Sequence, residues 1–162
     1  MEGLSSIKEK IASMSMAALD MWQDTFRTFM EHDADLIPGI LEKENKLNDL
    51  EKEITSELVS LDRASSKKSD KAVIDIYVNV VGDLELIGDY CKDILERIEI
   101  KIEEKLLFSE EAVKEYTELY RKTEEALDEI TMALKKDKAS LVREVLAKEE
   151  HIDRLVDVYR KK

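Results

Sequence analysis

The stretch Gly82-Asp83-Leu84-Glu85-Leu86-Ile87-Gly88-Asp89-Tyr90-Cys91-Lys92-Asp93-Ile94 lies in the middle of the longest helical pattern of the chain. Apolar residues recur through it in alternating steps of four and three, the seam of a helix packed lengthwise against other helices. The seam residues are Val73, Tyr77, Val80, Leu84, Ile87, Cys91, Ile94 and Ile98. Because glycine weakens a helix interior by about 1 kcal/mol relative to alanine, Gly82 and Gly88 predict that another group approaches the backbone closely.

Two carboxylates of this stretch, Glu85 and Asp89, lie one helical turn apart on the side away from the seam. Like charges at this spacing repel each other by roughly 0.2–0.5 kcal/mol, and a helix surface does not need such a pair. Two oxygen donors on adjacent turns can hold one cation. The pattern indicates a surface ion site, although 38 acidic residues also make solvated acidic pairs common by chance.

The composition of the chain limits its class. It has 162 residues, 43% hydrophobic and 40% charged, with only 4 glycines and 1 proline, which predicts one all-α domain. The net charge of -12 disfavours a nucleic-acid ligand. No apolar run approaches the ~20 residues of a membrane span, and the N-terminus does not read as a signal segment. We therefore expect a cytoplasmic chain without direct membrane insertion.

The hydrophobic periodicity predicts an elongated antiparallel bundle of about five long helices. The predicted spans are about 4–31, 35–62, 71–106, 110–136 and 137–162. The expected cap residues are Asp33 or Asp35 for the second helix, Ser69 or Asp70 for the third, and Ser109 for the fourth. Pro38 is tolerated in the first turn of the second helix. Cys91, the single cysteine, falls on the seam and is expected to be a small buried hydrophobic residue.

A shift of 105 residues aligns the second helix with the fifth, laying residues 40–50 over 145–155. The same shift places Trp22 over Leu127 and Phe29 over Leu134. Either the helices share one heptad pattern or a three-helix unit is duplicated, and the loop spacing favours duplication. We predict a spectrin-like three-helix repeat at 1–107 and two helices of a truncated second repeat at 108–162, packed as one domain. The groove left open predicts that another chain fills it, as in a homodimer.

The acidic pair of the third helix recurs along the chain. Glu149 and Asp153 repeat it on the fifth helix, and Glu44 with Asn48 is the equivalent on the second. If the second and third helices pack antiparallel, their acidic residues converge on one exposed face. Such oxygen donors suit Mg²⁺, Ca²⁺, Mn²⁺ or iron, and do not distinguish these from zinc. The predicted metal ligands are Glu44, Glu85, Asp89, Glu149 and Asp153.

Catalytic patterns are not indicated by the sequence. A dinuclear ferritin-like centre needs Glu-x-x-His on two helices, but the residues three before His32 and His151 are Phe29 and Lys148. We found no phosphate-cradling glycine loop, zinc-protease motif or supported Cys–His pair. The chain is therefore not expected to be an enzyme.

Residues 83–89 resemble the "DLERIGD" signature of the PhoU family of phosphate-uptake regulators. Residues 108–112 and 157–160 look most like the PhoU-like cytoplasmic tail of some sodium/phosphate cotransporters. The resemblance implies tandem three-helix bundles, metal clusters on the acidic motifs, and control of a phosphate transporter and its sensor kinase. Two positions depart from the family pattern: Leu86 replaces the usual Arg, and Asn48 replaces the usual Asp.

Two functional hypotheses follow. The first is a PhoU-like regulatory module that contacts a phosphate transporter or sensor kinase. In one form of this hypothesis, the full-length protein is tethered to the inner face of the membrane. The alternative is a metal-free structural adaptor that forms homodimers through the unfilled helix groove.

Overall fold

The computed structural model describes residues 2–135, which form four α-helices and one short 3₁₀ helix. The helices are α1 (Glu2–Glu31), α2 (Ile37–Ala64), α3 (Lys68–Glu103) and α4 (Glu110–Lys135), with the 3₁₀ turn at Ala34–Leu36 before α2. The predicted all-α class is confirmed, and the predicted fifth helix falls outside the described residues. Among the helices of residues 2–135, none combines the length and the apolar character that a bilayer span requires.

Helix α1 lies at the centre of the described part. It packs against α2, α3 and α4, while α2 also packs against α3. Lys10 Nζ on α1 pairs with Glu53 on α2 at 3.1 Å, and Lys43 Nζ on α2 pairs with Asp20 on α1 at 2.6 Å. The earlier residue of α1 pairs with the later residue of α2, so α1 and α2 are antiparallel. The predicted seam of α3 is buried throughout except at Val73, which is partly buried against the core.

The beginning of α3 differs from the prediction. The helix starts at Lys68 after an extended Lys67, and no side chain caps it. The predicted caps Ser69 and Asp70 are therefore wrong, because both residues lie inside the first turn. There the Asp70 carboxylate complements the helix dipole without capping the backbone. The cap predicted for α4 is confirmed, because Ser109 Oγ accepts the Ala112 amide at 3.1 Å. The cap predicted for α2 is wrong: Asp33 caps the 3₁₀ turn by accepting the Asp35 amide, and α2 begins after Leu36 without a side-chain cap.

The end of α3 also differs, since the helix stops at Glu103 and not at Leu106. The amide of Leu106 donates to the Lys101 carbonyl at 2.8 Å, and the amide of Lys105 donates to the Ile102 carbonyl at 3.1 Å. With Lys105 at a φ of 57°, these two bonds form a Schellman motif. The chain therefore leaves α3 through a fixed, hydrogen-bonded turn.

We expect Lys105→Gly to raise the free energy of unfolding by about 1 kcal/mol. A side chain in the left-handed region costs roughly 1–2 kcal/mol, and glycine avoids this cost. Urea unfolding of the variant and the wild type measures the change. Glu104→Gly is the control, because Glu104 has a right-handed helical conformation and glycine there should be destabilising. A Lys105→Gly variant less stable than the wild type contradicts the prediction.

Helices α1 and α4 meet through an aromatic cluster. Trp22 is fully buried, and its Nε1 donates to the Tyr120 carbonyl at 3.1 Å. The rings of Phe26 and Tyr120 stack with centroids 3.9 Å apart, and Phe29 meets Tyr116 edge to face at 4.6 Å. These aromatic contacts fix α4 against α1.

Two hydrogen bonds across this interface join side chains of α1 to backbone carbonyls of α4. Ser15 Oγ donates to the Leu127 carbonyl at 3.4 Å, as Trp22 Nε1 donates to that of Tyr120. The 105-residue shift places Tyr120 over Ser15 and Leu127 over Trp22. Any two antiparallel helices pair in this reciprocal way, so the two bonds show that α4 runs antiparallel to α1. The duplication of α1 in α4 and the repeat boundary at 107 stay predictions.

Candidate functional site

The acidic face comprises the carboxylates of Glu44 and Glu51 on α2 and of Glu85 and Asp89 on α3. Gly88 sets the distance between the two helices at this point. A Cβ added there would lie 2.8 Å from Leu47 Cδ2 and 3.9 Å from Glu44 Cγ. The close approach predicted at Gly88 is therefore confirmed, and it is what brings the two sets of carboxylates together.

Gly82 does not have the role that the sequence predicted. It is exposed, and an added Cβ would meet nothing within 4 Å. The expectation of a close approach at Gly82 is wrong, because this residue lies on the outer side of α3, about 1.7 turns before the crossing.

Glu44 differs from the exposed ligand that the sequence predicted. Its residue is only 5% exposed, because position 44 faces α3 at Gly88. Asn48 Nδ2 donates a hydrogen bond to Glu44 Oε1 at 2.8 Å. The amide at position 48 therefore supplies a donor to a buried carboxylate, a function that an aspartate there would not perform.

Glu85 is the carboxyl of this face whose titration is perturbed. Partial burial is the largest cause that raises its pKa, followed by the negative charges of Asp89 and Glu51. A hydrogen bond with Asp89 and the charge of Glu44 raise the pKa further. Glu85 thus interacts electrostatically with acidic side chains of both helices. Convergence of Glu44, Glu85 and Asp89 on one exposed face stays a prediction, because Glu44 is buried.

The side chains of the acidic face have the oxygen atoms that suit a metal ion, but they are not arranged around a common point. Carboxylate oxygens suit a hard cation, and such an ion relieves the like-charge repulsion around Glu85. Within residues 2–135, however, no three His, Cys, Asp or Glu side chains are arranged to hold one metal ion. Metal ligation by Glu44, Glu85 and Asp89 stays a prediction. Glu149 and Asp153 lie outside the described residues.

We expect Glu85→Gln to increase the stability of the chain at neutral pH. Because the pKa of Glu85 is raised by folding, the folded state binds a proton more readily than the unfolded state. The carboxyl therefore destabilises the fold above its folded pKa, and stability recovers as the pH falls through that pKa. Glutamine removes the charge and this part of the pH dependence.

Urea unfolding at several values between about pH 4 and pH 8 measures this change in slope. The control is Glu96→Gln, which alters an exposed carboxylate of the same helix. A pH profile that is the same in the Glu85→Gln variant and the wild type would rule out this role.

Glu51 is the member of the acidic face that the sequence reasoning missed. It follows Glu44 by seven residues, two helical turns, and so lies on the same side of α2. That spacing was a usable signal. The i,i+4 spacing does not include Glu51, because Glu44 and Glu51 are too far apart along the helix to form an adjacent pair.

Cys91 has the structural role that the sequence predicted. It is fully buried and hydrogen-bonds with Thr25, and burial raises its pKa to about 12. A thiol with that pKa is protonated at neutral pH, so it is not a nucleophile there.

The acidic face lies within a segment that matches a known family. The sequence matches the family described as "PhoU domain" over residues 11–98. It is also 26% identical over 90 residues to the "Phosphate-specific transport system accessory protein PhoU homolog 1" of Thermotoga maritima. The aligned region is 56% of this chain but 38% of that protein.

No solved structure matches the chain. The family match spans more than half of the sequence and includes α2, the crossing at Gly88 and every residue of the acidic face. The chain therefore belongs to the PhoU domain family.

Proposed function

We propose that this chain is a regulatory module of phosphate transport that acts by protein contact and not by catalysis. The observation that carries the proposal is the PhoU domain match over residues 11–98, which covers all of α2 and most of α1 and α3. The Thermotoga protein similar to it is named as an accessory protein of a phosphate-specific transport system. A phosphate transporter or a phosphate-sensing kinase is the corresponding partner.

A finer form of the proposal concerns the transporter. The resemblance of residues 108–112 to the tails of sodium/phosphate cotransporters supports a cotransporter as the regulated protein. The module then lies at the inner face of the membrane beside the transport domain.

Phosphate uptake in cells tests the regulatory role. Deletion of the segment that encodes this chain is expected to remove the difference in uptake between phosphate-limited and phosphate-replete growth. Re-expression of the chain should restore the difference. Uptake that still responds normally to phosphate after the deletion contradicts the proposal.

We further propose that the acidic face binds a divalent cation or iron, which joins α2 to α3 and shapes the contact surface. The raised pKa of Glu85 supports this, because the surrounding negative charge favours a cation. Glu85, Asp89 and Glu51 would be the donors, with Glu44 joining if Asn48 releases its oxygen. A bound ion at about a hundred times its dissociation constant would stabilise the fold by ~2.7 kcal/mol.

Metal analysis of protein purified without chelator tests the cation site, together with thermal unfolding in Mg²⁺, Ca²⁺, Mn²⁺, Fe²⁺ or Zn²⁺. The expected result is a rise in melting temperature that the Glu85→Gln/Asp89→Asn variant loses. Glu99→Gln/Glu103→Gln is the matched control, an exposed i,i+4 pair on the same helix. No bound metal and no shift in the wild type would exclude the site.

Self-association is a second proposal, and one observation favours it. The connection between α3 and α4 exposes Leu106 and Leu107 to solvent, by 47% and 78%. Exposed apolar residues next to each other mark contact surfaces. We propose that the chain forms a homodimer, which serves either the regulatory role or a purely structural one without metal. Light scattering distinguishes a dimer from a monomer.

A further inference from the structure

A groove of about 560 Å³ separates the end of α3 from the beginning of α4. Although the two helices are consecutive, they do not pack against each other, and each contacts α1 instead. We propose that this α3–α4 groove is the surface through which two copies of the chain pair. The inference rests on the self-association proposed above and names its location, while the regulatory role does not depend on it.

Apolar side chains line part of the groove, and two exposed leucines adjoin it in sequence. Phe108 and Ile100 line the groove, and the Ile100 residue is 52% exposed. Leu106 and Leu107 directly precede Phe108 in sequence. This amount of exposed aliphatic surface at one end of the bundle favours an apolar contact.

The segment that carries these leucines is held at both ends. Before it, the Schellman bond from the Leu106 amide fixes the end of α3. After it, Ser109 caps α4, and Lys101 Nζ lies 5.6 Å from the centre of the Phe108 ring. A segment that is already ordered loses less conformational entropy on association than a free loop.

The charges of the groove identify a second copy as the occupant. Its α3 wall carries the cations Arg97 and Lys101, and its α4 wall carries the carboxylates Glu111 and Glu115. A two-fold axis that runs along the groove places the basic wall of one copy against the acidic wall of the other. A uniformly basic or uniformly acidic partner would be repelled by one of the walls. A second copy matches both, which is the self-complementarity of an isologous interface.

Sedimentation of the whole chain, followed over a range of concentrations, tests the apolar part of the proposal. The wild type is expected to sediment as a dimer, and Ile100→Asp and Leu107→Asp should each raise the dissociation constant at least tenfold. Val78→Asp is the matched control, because Val78 is a 45% exposed residue on the same helix. Val78 lies roughly 33 Å along the helix from Ile100, so the Val78→Asp variant should remain a dimer.

Charge reversal tests the pairing of the walls and separates it from misfolding. Arg97→Glu/Lys101→Glu makes both walls acidic, and Glu111→Lys/Glu115→Lys makes both walls basic. Each variant alone is expected to be a monomer with the helical circular dichroism of the wild type. An equimolar mixture of the two is expected to form a heterodimer.

The outcomes separate this inference from the broader proposal. A wild type that stays monomeric at the highest soluble concentration overturns both the groove and the self-association. A dimer that survives Ile100→Asp and Leu107→Asp overturns the groove alone. Folded charge variants that fail to form a heterodimer overturn the opposed walls and with them this geometry.

Discussion

Asn48→Asp is expected to destabilise the metal-free chain by about 2 kcal/mol and to strengthen cation binding at the acidic face. The variant removes the hydrogen bond that Asn48 Nδ2 donates to Glu44. A carboxylate that is only 5% exposed then loses its donor and gains a like charge at i,i+4. Loss of a partner by a buried charged group costs on the order of 1–3 kcal/mol, and the like-charge pair adds a few tenths.

The same substitution adds an acidic oxygen donor beside Glu44. Divalent cations should therefore reverse the loss of stability in Asn48→Asp and stabilise it more than they stabilise the wild type. Urea unfolding in chelator and in excess Mn²⁺ or Mg²⁺ measures both effects. Asn45→Asp is the control, because it makes the same chemical change on the exposed side of α2. Equal stability of both variants in chelator contradicts the role assigned to Asn48.

Alanine at the two glycines of α3 is expected to act in opposite directions. Gly82→Ala should raise the free energy of unfolding by about 1 kcal/mol, because alanine favours a helix interior and the added methyl group meets nothing. Gly88→Ala gains the same helix propensity but places its Cβ 2.8 Å from Leu47 Cδ2. Overpacking of this kind costs about 1–3 kcal/mol. A net loss of about 1 kcal/mol is therefore expected at Gly88.

A double-mutant cycle with Leu47→Ala isolates the contact. Leu47 is 1% exposed and has little room to move, and alanine removes the atom that the new methyl group meets. The Gly88→Ala change should be much less costly in the Leu47→Ala background, which gives a favourable coupling energy. Chemical denaturation of the four chains measures it. Gly88→Ala that stabilises the wild type as much as Gly82→Ala does would show that α2 and α3 do not meet closely here.

These two predictions concern one place, the crossing of α2 and α3. Gly88 lets the helices approach, and the approach puts Glu44 and Glu51 beside Glu85. Asn48 then compensates part of the negative charge with a hydrogen bond. The acidic face is thus a product of helix packing, and a cation or a basic partner surface would act on the stability of the crossing.

The sequence reasoning was accurate where a periodic pattern has one physical interpretation. The four-three seam of α3 identified its buried side, and Ser109 followed by two glutamates identified the start of α4. It was inaccurate at helix ends, where several turn geometries can satisfy the free backbone hydrogen-bonding groups. Lys105 in the left-handed conformation ends α3 without a glycine, so no residue type marked the end.

By itself, the sequence determined the helical class, the buried stripes and the family, because helix periodicity and a short acidic signature are local properties of the chain. Only the tertiary structure decided that α1 is the helix that α2, α3 and α4 contact, that Glu44 is buried, and that Gly88 but not Gly82 faces a neighbour. Those facts depend on the rotation of each helix about its axis and on which helices meet. Packing sets both, and residue spacing along one helix does not contain that information.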